Sequence, residues 1–180
     1  MKLLLHTCCA PCLIYPLQRL KEEDFEVSGF FYNPNIHPLP EYNRRKQALI
    51  GLSNSSNINI TYPEYNPCEF FREVSLKEES PQRCSICWRL RLNKTAQVAK
   101  ENEFDFFSTT LLVSPYQDQE LIKKIGDDIA DRFGINFYYE DFRSGFRKAH
   151  EEAHAKGIYC QNYCGCIYSQ IERCKRSEKY

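Results

Sequence analysis

Cys8, Cys9 and Cys12 fall in one heptapeptide, His6-Thr7-Cys8-Cys9-Ala10-Pro11-Cys12. Thiolates at this density bind metal or cycle redox equivalents. A tight Cys-x-x-Cys pair follows at Cys84 and Cys87, and a Cys-Gly-Cys at Cys164 and Cys166. The two-residue gap sets both sulfurs on one side of a turn, which serves zinc and iron–sulfur sites alike. With one intervening residue, Cys164 and Cys166 can point the same way, and Gly165 allows a tight turn or a close approach. That pair suits metal ligation or a dithiol–disulfide couple. Side chains of neighbours such as Cys8 and Cys9 normally diverge. They serve one cluster if the turn brings them together, or two adjacent metals if it does not. Cys12, one helical turn after Cys8, is a ligand of second rank. Cys68, Cys160 and Cys174 lack partners at a useful spacing and read as small buried apolar groups.

The elements that must position these residues follow from the pattern. Lys2 to Leu5 reads as a buried strand and Leu13 to Glu22 as a helix, with Pro11 suited to its first turn. The first cysteines therefore sit where a strand hands over to a helix. In open α/β sheets this is where ligands bind, and the helix N-terminus there favours thiolate over thiol. Further strands are expected over 25–32, 58–62, 104–112 and 135–139. Helices are expected over 42–52, 84–101, 118–133 (stripe Leu121, Ile122, Ile125, Ile129, Phe133, with Gly134 as C-cap), 147–156 and 168–175, and a short one near 69–74. This alternation predicts one α/β domain with a mostly parallel sheet.

Composition narrows the class. The 180 residues are 42% hydrophobic and carry zero formal net charge, so global charge points to no nucleic acid. No apolar run approaches the roughly 20 residues of a membrane span, and the Leu3-Leu4-Leu5 run is too short for a signal-peptide core. Ten cysteines in a chain long enough to build its own core, without a secretion signal, argue against a disulfide framework. A cytoplasmic metal or redox protein is expected. The basic clusters Arg83/Arg89/Arg91/Lys94, Arg143/Arg147/Lys148 and Arg173/Lys175/Arg176 read as solvated helix faces. His150-Glu151-Glu152-Ala153-His154 matches the H-E-x-x-H pattern of zinc proteases, but its surroundings are polar and no third ligand is evident downstream. Spacing alone does not separate structural zinc from a [4Fe–4S] cluster; the place of the first pair, at a ligand-binding turn, favours a reactive centre.

Longer blocks carry a resemblance. Leu4 to Cys12, Phe31-Tyr32-Asn33-Pro34-Asn35-Ile36-His37-Pro38, Cys84 to Leu92, Phe106 to Pro115, Asp141-Phe142-Arg143 and Tyr163 to Ser169 stand in the order of the QueH-type epoxyqueuosine reductases. The stretch from Glu64 to Ser80 carries none of these blocks. The resemblance implies a Rossmann-like fold related to the adenine nucleotide α-hydrolase-like (HUP) domains. It implies cobalamin-independent reduction of epoxyqueuosine to queuosine at the tRNA wobble position. By motif position Cys8, Cys9, Cys84 and Cys87 would hold a [4Fe–4S] cluster. Cys164 and Cys166 would be the redox pair, or ligands of a second metal, iron or zinc. The segment 158–180 would then bring Cys164 and Cys166 back to the N-terminal turn. An external electron donor is also implied. Asp141, Asp105 and His6 are candidate proton donors or further ligands, and Tyr32, Trp88, Tyr116 and Tyr168 candidate base-stacking rings. The alternatives are a non-catalytic zinc–thiolate nucleic-acid-binding module and the H-E-x-x-H protease, with Glu151 as its base.

Overall fold

The chain alternates strand and helix: β1 (Lys2–His6), α1 (Ala10–Glu22), β2 (Glu26–Phe30), α2 (Leu39–Ser56), β3 (Ile60–Thr61), α3 (Pro67–Val74), α4 (Gln82–Glu101), β4 (Phe106–Thr109), α5 (Gln119–Phe133), β5 (Asn136–Phe137), α6 (Phe146–Ala155) and α7 (Ile167–Ser177). Single 3-10 turns cover Thr110–Val113 and Phe142–Gly145. This computed structural model describes residues 1–177, and side chains through Lys175. Arg176 of the third basic cluster therefore lies outside the described side chains.

All strand pairs are parallel, in the order β3-β2-β1-β4-β5. β1 is central, with β2 on one side and β4 on the other. Leu3, Leu4 and Leu5 are each buried to within 2% exposure, because helices cover both faces of a parallel sheet and leave its middle strand no wet side. α1 packs with α2 and α6, and α4 packs with α5 and against β1 and β4. The strand order reverses at β1, so the loops after β1 and β4 open a crevice at the carboxyl end of the sheet.

Most expected elements form, with different ends. α2 reaches Leu39 because the Pro38–Pro40 segment serves as a helix start, where a proline lacks nothing. β4 stops at Thr109, where its hydroxyl accepts from Leu111 N and starts a 3-10 turn. Gly134 caps α5 in the left-handed conformation, as expected. Pro16 sits inside α1 without ending it.

Candidate metal centre and the segment that closes over it

β1 and β2 run one residue past the sheet, where Thr7 N donates to Phe30 O at 2.9 Å. The next residues are Cys8 and Cys9, and Cys9 is the N-cap of α1. A cysteine at this position makes no capping hydrogen bond, so the first amides of α1 are left facing the thiols, where they favour negative charge. Thr110, just past β4, meets the turn from across the crevice. Cys8 N donates to its Oγ1 at 3.1 Å, and that hydroxyl donates to Cys8 Sγ at 3.3 Å. Cys12 returns one turn into α1, and the ligand atoms of Cys8, Cys9 and Cys12 lie within 4.8 Å of one another. Hydrogen bonds from the Cys12 and Cys9 thiols, with Thr110 assisting, hold Cys8 well below the ordinary thiol range against the opposing effect of burial. Burial drives Cys9 upward, and Cys12 is raised because its proton is shared with Cys8. Within the trio, charge is therefore favoured at Cys8 over Cys9 and Cys12.

His6 beneath the turn is fully buried and its tautomer is fixed. Asn33 Nδ2 donates to Thr7 O at 2.9 Å, which aims Asn33 Oδ1 at His6. Nε2 faces that oxygen and Tyr32 O, both at 3.2 Å. Both are acceptors, so the proton sits on Nε2, and Nδ1 accepts from Thr109 Oγ1 at 2.9 Å. Burial, reinforced by the Arg91 charge, pushes His6 down to about 3. It is a neutral post under the turn rather than a proton donor. Asp105 accepts from Lys2 N at the other end of β1, about 15 Å or more along the strand from Cys8 at ~3.3 Å per residue, so it is removed from the set around the cysteines.

Cys84 and Cys87 lie in the first two turns of α4. Ser80 Oγ is 3.7 Å from Cys84 Sγ. Cys87 joins Cys166, Phe70 and Val74 in a small apolar cluster, and burial pushes its thiol up to about 11. Cys164 and Cys166 form an asymmetric pair. The Cys166 thiol donates to Cys164, which lowers Cys164 and raises Cys166. Cys164 is exposed and Cys166 buried, so the member whose charged form is favoured is the accessible one.

The segment bearing this pair returns across the N-terminal turn. Gln161 Nε2 donates to Cys9 Sγ at 2.8 Å. Arg45 Nη2 donates to Tyr163 O at 3.0 Å and Nη1 to Cys164 O at 3.1 Å, while Nε holds Glu41 at 2.7 Å. Tyr163 Oη donates to His37 O at 2.5 Å, and His37 N to Gly165 O at 2.8 Å. Gly165 has φ +107°, and a Cβ there would lie 2.8 Å from Ile36 Cγ1 and 3.2 Å from Arg45 Nη1. Only glycine fits this seat.

Arg45, Arg83 and Arg91 are buried, at 2–4% exposure. This corrects the reading of Arg83 and Arg91 as solvated. Each is matched to thiols: the charge of Arg45 acts on Cys9 and Cys8, that of Arg83 on Cys166 and Cys84, and that of Arg91 on Cys87 and Cys164. Arg45 and Arg83 also pair with Glu41 and Glu172, and a buried guanidinium beside a thiol favours the thiol's charged form. The signal in the sequence was the phase of α4. Arg91 lies four residues after Cys87 on the same face, and its Nε donates to Cys87 O at 3.2 Å.

Asp141 binds Arg143 through both carboxylate oxygens and caps the turn that follows; this pairing holds it below the usual carboxylate range. Tyr32 and Trp88 are core, with Tyr32 Oη on Glu69 and Trp88 Nε1 on Gln117 at 2.9 Å. Tyr168 lies under Arg83. Tyr116 alone of the four rings is fully open, at 83% exposure. Cys68 and Cys174 are exposed rather than buried. His150 and His154 do have a third ligand candidate downstream. It is Cys160, with all three donor atoms within 4.8 Å. Glu151 is exposed and paired with Arg147.

The described helices include none long and apolar enough to cross a membrane. The family model described as "Epoxyqueuosine reductase QueH" matches residues 3–172. Among curated proteins, the chain is similar to the epoxyqueuosine reductase QueH of Thermotoga maritima, 37% identical with 94% of this chain and 91% of that protein covered. The Dehalococcoides mccartyi protein of the same name is 38% identical, with 96% and 94% covered. That of Streptococcus pyogenes serotype M1 is 35% identical, with 93% and 69% covered. The match spans the thiol turn, the arginines set against it and the returning segment alike, and the chain belongs to the epoxyqueuosine reductase QueH family.

Proposed function

We propose that this chain reduces epoxyqueuosine to queuosine at the wobble position of a tRNA, in the cytoplasm, with an iron–sulfur cluster and without cobalamin. The observation that carries the reading is the group of Cys8, Cys9 and Cys12 thiols at the ligand-binding turn of a parallel sheet, with buried Arg45 acting on it and buried Arg83 and Arg91 acting on the thiols of Cys84, Cys87, Cys164 and Cys166. Cys8, Cys9, Cys84 and Cys87 would hold a [4Fe–4S] cluster. The donor set fits: soft thiols, with Cys8 lowered by hydrogen bonds from its neighbours, beside buried cations. Bound there, such a cluster supplies low-potential electrons singly.

Deoxygenating an epoxide to an alkene consumes two electrons and two protons and releases water. Cys164 and Cys166 can supply both: closing their disulfide yields two electrons and two protons, and an external donor restores the dithiol. The lowered Cys164 and raised Cys166 are the attacking thiolate and the proton-holding partner that such a couple needs. The same two sulfurs could instead ligate a second mononuclear metal, iron or zinc, and Cys12 is the nearest further donor. Asp141 enters ionised under Arg143. It accepts a proton or ligates a cation once Arg143 releases it. The target base must leave its stack to reach the crevice, and the exposed Tyr116 ring offers it a platform. With zero net charge, tRNA binding rests on local lysines and arginines such as Arg147 and Lys148, and falls steeply with salt.

The test is iron and acid-labile sulfide per chain on anaerobically purified protein, beside conversion of epoxyqueuosine in tRNA. About four of each, both lost in Cys84→Ala with the activity, supports the reading. Iron above sulfide by about one argues for the second metal. Zinc without sulfide in protein never exposed to air sinks the reductase reading and leaves a zinc–thiolate binding module.

A further inference from the structure

His150 and His154 stand one helical turn apart on α6 and so share a face. α6 ends in a paired-bond cap: Gly157 N donates to His154 O at 3.0 Å and Ile158 N to Ala153 O at 2.9 Å. Gly157, at φ +64°, takes the left-handed position this cap requires. The reversal carries Cys160 back alongside the two imidazoles, and all three donor atoms lie within 4.8 Å of one another. The His150 ring is set in place by Phe146, 4.4 Å away between centroids, which in turn meets Tyr116 edge-on at 6.0 Å. The Cys160 thiol donates to Ile158 O at 3.4 Å. The ring nitrogens of His150 and His154 are not engaged by any of the ion pairs on α6, which use Arg147, Glu151, Glu152 and Lys156.

We propose that His150, His154 and Cys160 form a second metal site, with a ligand set distinct from that of the cysteine turn and specific for a borderline cation such as Zn2+. Two imidazoles and one thiolate are a zinc donor set, with a fourth, exchangeable position left to water. Binding replaces the Cys160 S–H bond by an S–Zn bond and releases that proton to solvent. Zinc would draw the three donor atoms in to about 2.0–2.3 Å each. The site is not a protease centre, because Glu151 is turned to Arg147 on the open surface. Its effect is mechanical. Cys160 precedes Gln161, which touches Cys9, so zinc pins the base of the returning segment to the end of α6.

The test is Zn2+ per chain after equilibration with low micromolar Zn2+ and removal of excess, on anaerobically purified parent, Cys160→Ser, His150→Gln/His154→Gln and Glu151→Gln. Iron and sulfide are counted on the same samples. The parent and Glu151→Gln should hold one zinc more than the other two variants, whose affinity should fall at least 100-fold. Zinc should raise the melting temperature of the parent and leave both ligand variants unmoved. With Co2+ as probe, Cys160→Ser should lose the sulfur-to-cobalt absorption that the parent gains over it. Equal zinc in all four proteins, or loss in Glu151→Gln, would overturn the assignment. The zinc difference is read against the variants, so it stands or falls whether or not iron is found at the cysteine turn.

Discussion

The cysteine turn at Cys8 and Cys9 hangs from the sheet: backbone bonds of β1 and β2 run up to it, Thr110 grips it from β4, and His6, Asn33 and Thr109 form a closed network under it. The Cys164–Cys166 segment belongs to no strand. It is seated by Arg45 on two carbonyls, by Tyr163 and His37, and by the fit of Gly165 against Ile36. The first region spreads its support over many backbone groups, whereas the second depends on a few side chains. In the function proposed above, the first region would be the fixed wall that delivers electrons and the second the wall that parts to admit the base.

The contrast can be broken most sharply at Arg45. Arg45→Met removes both carbonyl anchors and leaves the buried Glu41 carboxylate with Tyr159 Oη as its remaining hydrogen bond, at 2.6 Å. A loss of about 3–5 kcal/mol is expected, since one partner of a buried pair is stranded. Urea unfolding reads it, and limited proteolysis should cut first in residues 158–166; a loss below about 1 kcal/mol with unchanged cleavage would show that the segment is held elsewhere. Gly165→Ala should cost about 1–3 kcal/mol by strain at φ +107° and lower turnover on tRNA, while iron content stays with the parent. If iron is lost as well, the two regions are not separable.

Acid should act on the same segment through His37. Burial holds this imidazole down to about 4, so the folded protein refuses a proton that the unfolded chain accepts below about 6.5. Its contribution is present above that value and drains away as pH falls toward 4, at up to about 1.4 kcal/mol per pH unit. His37→Gln should flatten the stability profile between pH 6.5 and 4 by that slope; an unchanged slope would place the acid sensitivity in other groups. The smallest effect belongs to the rigid side. Thr110→Val removes the hydroxyl that donates to Cys8 Sγ, so in metal-free protein the Cys8 thiol should titrate higher and alkylate more slowly at neutral pH. Its stability should move by only about 1 kcal/mol.

The parallel sheet and the cysteine turn were legible because apolar runs and turn residues are local signals. The buried arginines were only half legible: α4 sets Arg83 beside Cys84 and Arg91 on the face of Cys87, but Cys164 and Cys166 come from a distant segment, and a charged residue in a polar helix reads as solvated until such neighbours are known. Cys12 looked secondary because spacing gives no distances, yet helical geometry sets it among Cys8 and Cys9. Cys160 looked partnerless because the reversal at Gly157 folds six residues of separation back onto His154. The expected strand over 135–139 shrank to Asn136–Phe137, since beyond it Tyr138 O is taken by the Ser108 hydroxyl rather than by a ladder bond.

The grip of Thr110 on Cys8 spans 102 positions of sequence, and this sets an order of assembly. During synthesis Cys8 emerges 102 residues before Thr110, and the Cys164 segment follows later still. Long-range parallel pairing closes slowly. The nascent chain therefore carries Cys8 and Cys9 without their partner until Thr110 is made, so oxidation of either is an early hazard, and the cluster proposed above would be loaded only once the crevice is complete.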